Sequence, residues 1–219
     1  RAMGVINYWR VDCAVKIGII DADLVERKKH RFPNLACMKI SSYHKRQGHD
    51  VELLLDYDTV ENYDKVFISK VFTDTIVPDG ILNLPWIEHG GTGFYYDKAQ
   101  PLAYEIEHSM PAYHLYDQFV QIALENGTKQ KELQYYIDFS IGFTTRGCIR
   151  GCSFCVNKNY RMCSLHSPVS EFLDEDRKYI CLLDDNVLSC REWKSIFEEL
   201  NATGKRFQFK QGMDERLLT

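Results

Sequence analysis

The sequence predicts an α/β fold built from two successive series of strands and helices. Three observations carry this prediction: short apolar runs that end in acidic residues, amphipathic segments of helical length between them, and a second such series after a tyrosine-rich interval. Apolar runs of four to eight residues suit strands of a parallel sheet, which are buried on both faces.

The first strand is expected in VKIGIID, from Val15. A helix is expected over 33–47, with Pro33 in its first turn, Ala36, Ile40 and Tyr43 as its apolar stripe, and Gly48 at its end. Further strands are expected in DVELLLD (50–56), KVFISKVF (65–72) and WIEHGG (86–91), the last running into a glycine turn. Region 15–93 is therefore read as a Rossmann-like domain. Residues 1–14 show no period and are read as a leader. The interval 94–136 is read as a linker carrying one helix at about 113–126, with Leu115, Phe119 and Ile122 on one face and Gly127 closing it.

The second series begins at IDFSIGFTT (137–145) and continues with YICLLDD (179–185). A helix follows, started by a capping box of Ser189 with Glu192, carrying Trp193, Ile196, Phe197 and Leu200 on one face, and ended by Gly204. RFQFKQG (206–212) starts a third strand. Repeated strand, loop and helix units with functional residues after the strand ends are how α/β barrels are built. Each unit takes roughly 30 residues, so 137–219 holds the beginning of a barrel. The chain is expected to be the N-terminal part of a longer enzyme, or a domain completed by another chain.

Composition narrows the function classes. A 45% apolar content with charge spread along 219 residues suits a chain that buries a core. The net charge of −4 supplies no global field for nucleic acid or anionic membrane, so neither is an expected partner. The basic run ERKKHR (26–31) is read as a solvated loop ahead of a phosphate or RNA contact. No apolar stretch approaches the roughly 20 residues that span a bilayer, and no signal pattern opens the chain, so a cytoplasmic protein is expected.

Three of the eight cysteines, Cys148, Cys152 and Cys155, fall within eight residues in GFTTRGCIRGCSFC. This crowding favours metal chemistry in a reducing compartment. Cys13, Cys37, Cys163, Cys181 and Cys190 are scattered and read as small buried residues. A zinc site takes four ligands, and His166 is the candidate fourth. A cubane iron–sulfur cluster held by three thiolates instead keeps one iron open for a cofactor or substrate donor. Gly147 and Gly151 are expected to give the loop the freedom to wrap such a cluster.

The pattern Cys-x-x-x-Cys-x-aromatic-Cys, with Phe154 as the aromatic, following a first barrel strand, resembles the radical S-adenosylmethionine superfamily. The resemblance implies a 4Fe–4S cluster on Cys148, Cys152 and Cys155, S-adenosylmethionine chelated to the open iron, and reductive cleavage to a 5′-deoxyadenosyl radical acting on an unidentified substrate. It further implies a flavodoxin- or ferredoxin-like electron donor. LLDDN places Asp184, Asp185 and Asn186 where that family often carries Gly-Gly-Glu near the methionine moiety, and FKQGMDERL makes Lys210, Gln211, Asp214 and Arg216 candidate pocket residues. The N-terminal half resembles the cobalamin-binding-like domain found in one branch, with Gly90, Gly91 and Gly93 in its glycine turn. The Asp-x-His-x-x-Gly sequence that supplies a lower cobalt ligand is absent, so a domain kept for packing or substrate recognition is placed ahead of cobalamin binding. The rivals are a zinc-binding module and a cluster-binding fragment lacking catalysis.

Overall fold

In the computed structural model the described residues are 14–27, 29–157 and 160–218, so the expected leader and Cys13 lie outside them, apart from Ala14. The molecule is mixed α/β with parallel sheets. The first sheet holds β1 (Lys16–Asp21), β2 (Asp50–Leu54), β3 (Lys65–Ser69) and β4 (Ile87–Gly90) in the order β2-β1-β3-β4, every neighbour parallel. The two-residue side-chain period splits its apolar residues. Ile17, Ile19, Val51, Leu53 and Phe67 enter one cluster beneath α1 (Leu35–Arg46), while Ile20, Leu54, Val66 and Ile68 enter a second on the opposite face.

Helix α1 starts later than expected. Pro33 lies outside its first turn, and Asn34 is the N-cap, its side-chain oxygen accepting from the Cys37 N–H at 3.3 Å. The segment expected as a linker contributes Tyr113, Leu115, Tyr116, Ala123, Leu133 and Tyr136 to the cluster under the first sheet. Its helix begins as a 3-10 turn at Tyr113–Tyr116 and becomes regular only over α2 (Asp117–Glu125); of the expected face, Leu115 is buried, Phe119 packs partly, and Ile122 is exposed.

Tyr113 fastens this segment to the second sheet: its hydroxyl accepts from the Ile141 N–H at 2.8 Å and donates to the Phe172 carbonyl. The buried Arg177 adds bonds to the Tyr136, Phe139 and Tyr113 carbonyls. That sheet is β5 (Phe139–Gly142), β8 (Tyr179–Leu182) and β9 (Arg206–Phe209), parallel in the order β5-β8-β9, with a small antiparallel pair, β6 (Thr145–Arg146) and β7 (Ser164–Leu165), inserted after β5. Between β8 and β9 runs α3 (Trp193–Ala202), burying Ile196 and Leu200 against Ile180 and Leu182.

The expected capping box does not form. Val187–Ser189 makes a 3-10 turn, Ser189 Oγ donates to the Asn186 carbonyl at 2.8 Å, and Glu192 becomes the N-cap without a side-chain bond. The first expected strand–helix unit is also altered: Gly142 and Tyr179 are connected by the cysteine loop, the β6/β7 pair and a 3-10 turn at Val169–Glu171. No described helix is long and apolar enough to cross a membrane.

Candidate functional site

Parallel strands send their carboxyl ends to one edge, where open α/β sheets bind ligands. At the second sheet this edge gathers the cysteine loop after β5, Asp184–Asn186 after β8, and Gln211–Arg216 after β9.

Asp184 sets the entry to the cysteine loop. It is fully buried and accepts from the Thr144 N–H (3.2 Å), the Thr144 hydroxyl (2.7 Å), the Thr145 N–H (2.6 Å) and the Thr145 hydroxyl (2.6 Å). Three of these donors converge on Oδ1 and one on Oδ2, so most of the carboxylate's accepting capacity is committed to this loop. Asp185 accepts from the Gly147 N–H at 2.8 Å and from the Asn157 side-chain amide. Burial raises its pKa, and the Gly147 bond opposes the rise. Gly147 itself sits at φ +97°, and a Cβ there would lie 2.2 Å from the Met162 carbonyl oxygen, so only glycine fits. Gly151 meets nothing within 4 Å and carries no such requirement.

The thiols are free: Cys148 and Cys155 are half-buried and Cys152 is exposed. Among the described residues no three His, Cys, Asp or Glu side chains are drawn together as a metal cage. The donor set nevertheless fits thiolate ligands. Cys148 Sγ accepts from the Arg150 N–H at 3.4 Å and from Asn186 Nδ2 at 3.5 Å, and Cys155 Sγ accepts from the Asn157 N–H at 3.4 Å. Such bonds to sulfur stabilise thiolates and tune clusters. Phe154 is 81% exposed on the loop, and its carbonyl accepts from the Tyr96 hydroxyl at 3.1 Å.

Of the other candidates, Gln211 is exposed beyond β9, and Lys210 Nζ reaches the Tyr135 hydroxyl at 3.0 Å. His166, the candidate fourth zinc ligand, is turned elsewhere: Nε2 meets Glu107 Oε1 at 2.9 Å. Cys37, Cys181 and Cys190 are buried, and Cys163 is partly so.

Glu107 is a centre that sequence reading did not single out. Its Oε1 also meets Lys39 Nζ at 2.9 Å and Arg146 at 3.1 Å, linking α1, the 94–136 segment and the cysteine-loop entry. Burial alone would raise its pKa, but the His166 hydrogen bond and the Lys39 and Arg146 charges outweigh burial and hold the carboxyl far below the usual carboxylate range. A carboxyl depressed on folding contributes stability above its unfolded pKa, about 4.3, and loses that contribution as pH falls through the folded value. Glu107→Gln leaves Lys39, only 6% exposed, without its counter-charge. It is expected to cost about 3–5 kcal/mol at pH 7. Urea unfolding of both proteins should show the deficit shrinking as the pH is taken below about 4; a deficit independent of pH would contradict the assignment.

At the first sheet the strand order reverses between β1 and β3, and the crevice at that point is filled by the chain itself. Asp21 Oδ2 accepts from the Tyr116 hydroxyl at 2.8 Å, and Asn34 donates to Ser69 Oγ at 3.0 Å. Asp23 accepts from the Val71 N–H at 2.6 Å and from the Thr75 hydroxyl. Burial pushes Asp21 up to about 7. Gly91, at φ +104°, approaches the Lys70 carbonyl so closely that a Cβ would stand 2.3 Å from its oxygen; Gly93 is similarly confined, while Gly90 is open. Two surface clefts, one at Asp64, Lys65, Trp86 and Glu88 and one at Glu52, Leu54, Tyr63 and His114, include no residue of the cysteine loop.

No family model matches the chain. No curated protein and no solved structure matches it either.

Proposed function

We propose that the chain is the cluster-bearing part of a radical S-adenosylmethionine enzyme, or an N-terminal fragment of one. The carrying observation is the spacing of Cys148, Cys152 and Cys155 on a loop that leaves the carboxyl end of β5, with N–H donors on two of the three sulfurs. Three thiolates are the ligand number that leaves one iron of a cubane open. When bound, such a cluster supplies one electron to the sulfonium of S-adenosylmethionine, which divides into methionine and a 5′-deoxyadenosyl radical.

This chain's residues hold and orient that chemistry. Asp184 and Asp185 fix the loop through Thr144, Thr145 and Gly147, and Asn186 donates to Cys148. Phe154 offers an exposed aromatic face for the adenosyl group, and Gln211 stands at the same edge. The free thiols suit a reducing compartment, with a flavodoxin- or ferredoxin-like donor as the electron source. The close packing of Gly91 and Gly93 on Lys70 gives those glycines a structural reason, which supports a packing or recognition role for the first sheet ahead of cobalamin binding. The zinc reading requires His166 to leave Glu107, which counts against it.

Anaerobically reconstituted, reduced protein is expected to convert S-adenosylmethionine to 5′-deoxyadenosine and methionine. A protein that carries iron but yields no 5′-deoxyadenosine would leave only a cluster-binding fragment. A colourless protein with one zinc would sink the proposal.

A further inference from the structure

The strongest arrangement outside the ligands is a closed ring of hydrogen bonds that starts and ends on Cys148. Asn186 Nδ2 donates to Cys148 Sγ at 3.5 Å, and Asn186 Oδ1 accepts from the Asp214 N–H at 3.2 Å. Asp214 Oδ2 accepts from Arg150 Nε at 2.7 Å, and the Arg150 backbone N–H returns to Cys148 Sγ at 3.4 Å. Three chain segments far apart in sequence are thereby joined around one sulfur. Arg216 braces the ring from outside, its Nε meeting Asp214 Oδ1 at 2.6 Å. With two guanidinium groups on it, the Asp214 carboxyl is held down at about 2; the Arg216 hydrogen bond is the largest cause. It is therefore ionised throughout the neutral range.

We propose that Asp214 is a positioning residue for the cluster: by clamping the Arg150 side chain, it keeps the Arg150 amide on Cys148 Sγ and orients the first turn of the cysteine loop. This rests on the cluster reading above. With Arg150 41% exposed and Asp214 11% exposed, the pair is open to solvent on the arginine side and contributes modestly to global stability. Its effect lies in geometry, because hydrogen bonds to sulfur and solvent access set the potential of an iron–sulfur cluster, and groups that orient ligands alter metal affinity by about 10–100-fold.

The two halves of the clamp carry opposite charges, and this separates geometry from electrostatics. If charge alone acted, Asp214→Ala would raise the cluster potential and Arg150→Ala would lower it. If the clamp acts, both lower it by loosening the N–H on sulfur, both speed iron loss to a chelator by about tenfold or more, and the double variant resembles either single. The experiment is a redox titration and a chelator challenge of anaerobically reconstituted wild-type, single and double variants, with urea unfolding to confirm that each is folded. Asp214→Asn, which keeps an oxygen acceptor and the backbone N–H, replaces Asp214→Ala if the latter does not fold, with a smaller shift in the same direction. Opposite-signed shifts, additive effects, or iron retention equal to wild type overturn the inference while leaving the cluster reading standing. A wild-type protein that takes up no iron overturns that reading, and this inference with it.

Discussion

Cys152→Ala is expected to give a folded protein that retains no intact four-iron cluster and makes no detectable 5′-deoxyadenosine. Cys152 is exposed, and among the described residues its sulfur makes no hydrogen bond to another group, so its removal takes away no buried contact. Surface substitutions of this kind usually alter stability by about 0.5 kcal/mol or less. A cubane reduced to two protein thiolates has two open irons and loses iron readily. Iron and sulfide should therefore fall by most of their wild-type amount while the urea midpoint stays in place. If Cys152→Ala kept both its iron and its cleavage activity, Cys152 would not be a ligand.

Asp184→Ala is expected to have the opposite profile, a large loss of stability with loss of cluster binding as its consequence. The carboxylate is fully buried and satisfies two backbone N–H groups and two hydroxyls of Thr144 and Thr145. Alanine strands all four. Each buried donor left unpaired costs about 1–3 kcal/mol, partly relieved by hydroxyl rotation or entry of water, so a total on the order of 3–5 kcal/mol is expected. Asp184→Asn should fall between, since an amide offers one accepting oxygen where the carboxylate offers two. Urea titrations with unchanged slope and a lowered midpoint would support this. An unfolding free energy within about 0.5 kcal/mol of wild type would show that the four bonds are replaceable.

The strands were legible because they are local, nearly continuous apolar runs buried on both faces of a parallel sheet: Ile17, Ile19 and Ile20 announce β1 without help from the rest of the chain. Helix starts were less legible, because capping residues compete. Asn34 displaced the expected start at Pro33, and the 3-10 turn ending at Ser189 took the hydroxyl assigned to a capping box. In sequence the interval 94–136 resembles a linker, because tyrosine, histidine and acids look solvated. Tyr116 is instead fully buried, since its hydroxyl finds Asp21 95 positions away. Polar residues become core residues when distant partners satisfy them, and no local pattern announces that.

The candidate site divides in the same way. The cysteine spacing is local and could be read directly. Asp184 and Asp185 were singled out for the cofactor, yet the structure commits Asp184 to Thr144 and Thr145, and Asp185 to Gly147 and Asn157. Glu107 was missed because Lys39, Arg146 and His166 come from separate elements. The one sequence signal was an acid followed by histidine in a short polar stretch, which many exposed loops share.

The central claim, a cluster with one open iron on Cys148, Cys152 and Cys155, is tested most directly by the electron paramagnetic resonance spectrum of the reduced protein before and after addition of S-adenosylmethionine. The account predicts a reduced 4Fe–4S signal whose shape changes when the cofactor's amino and carboxylate groups reach the open iron. A signal left unchanged by saturating S-adenosylmethionine, or no iron signal in a protein that holds zinc, would contradict it.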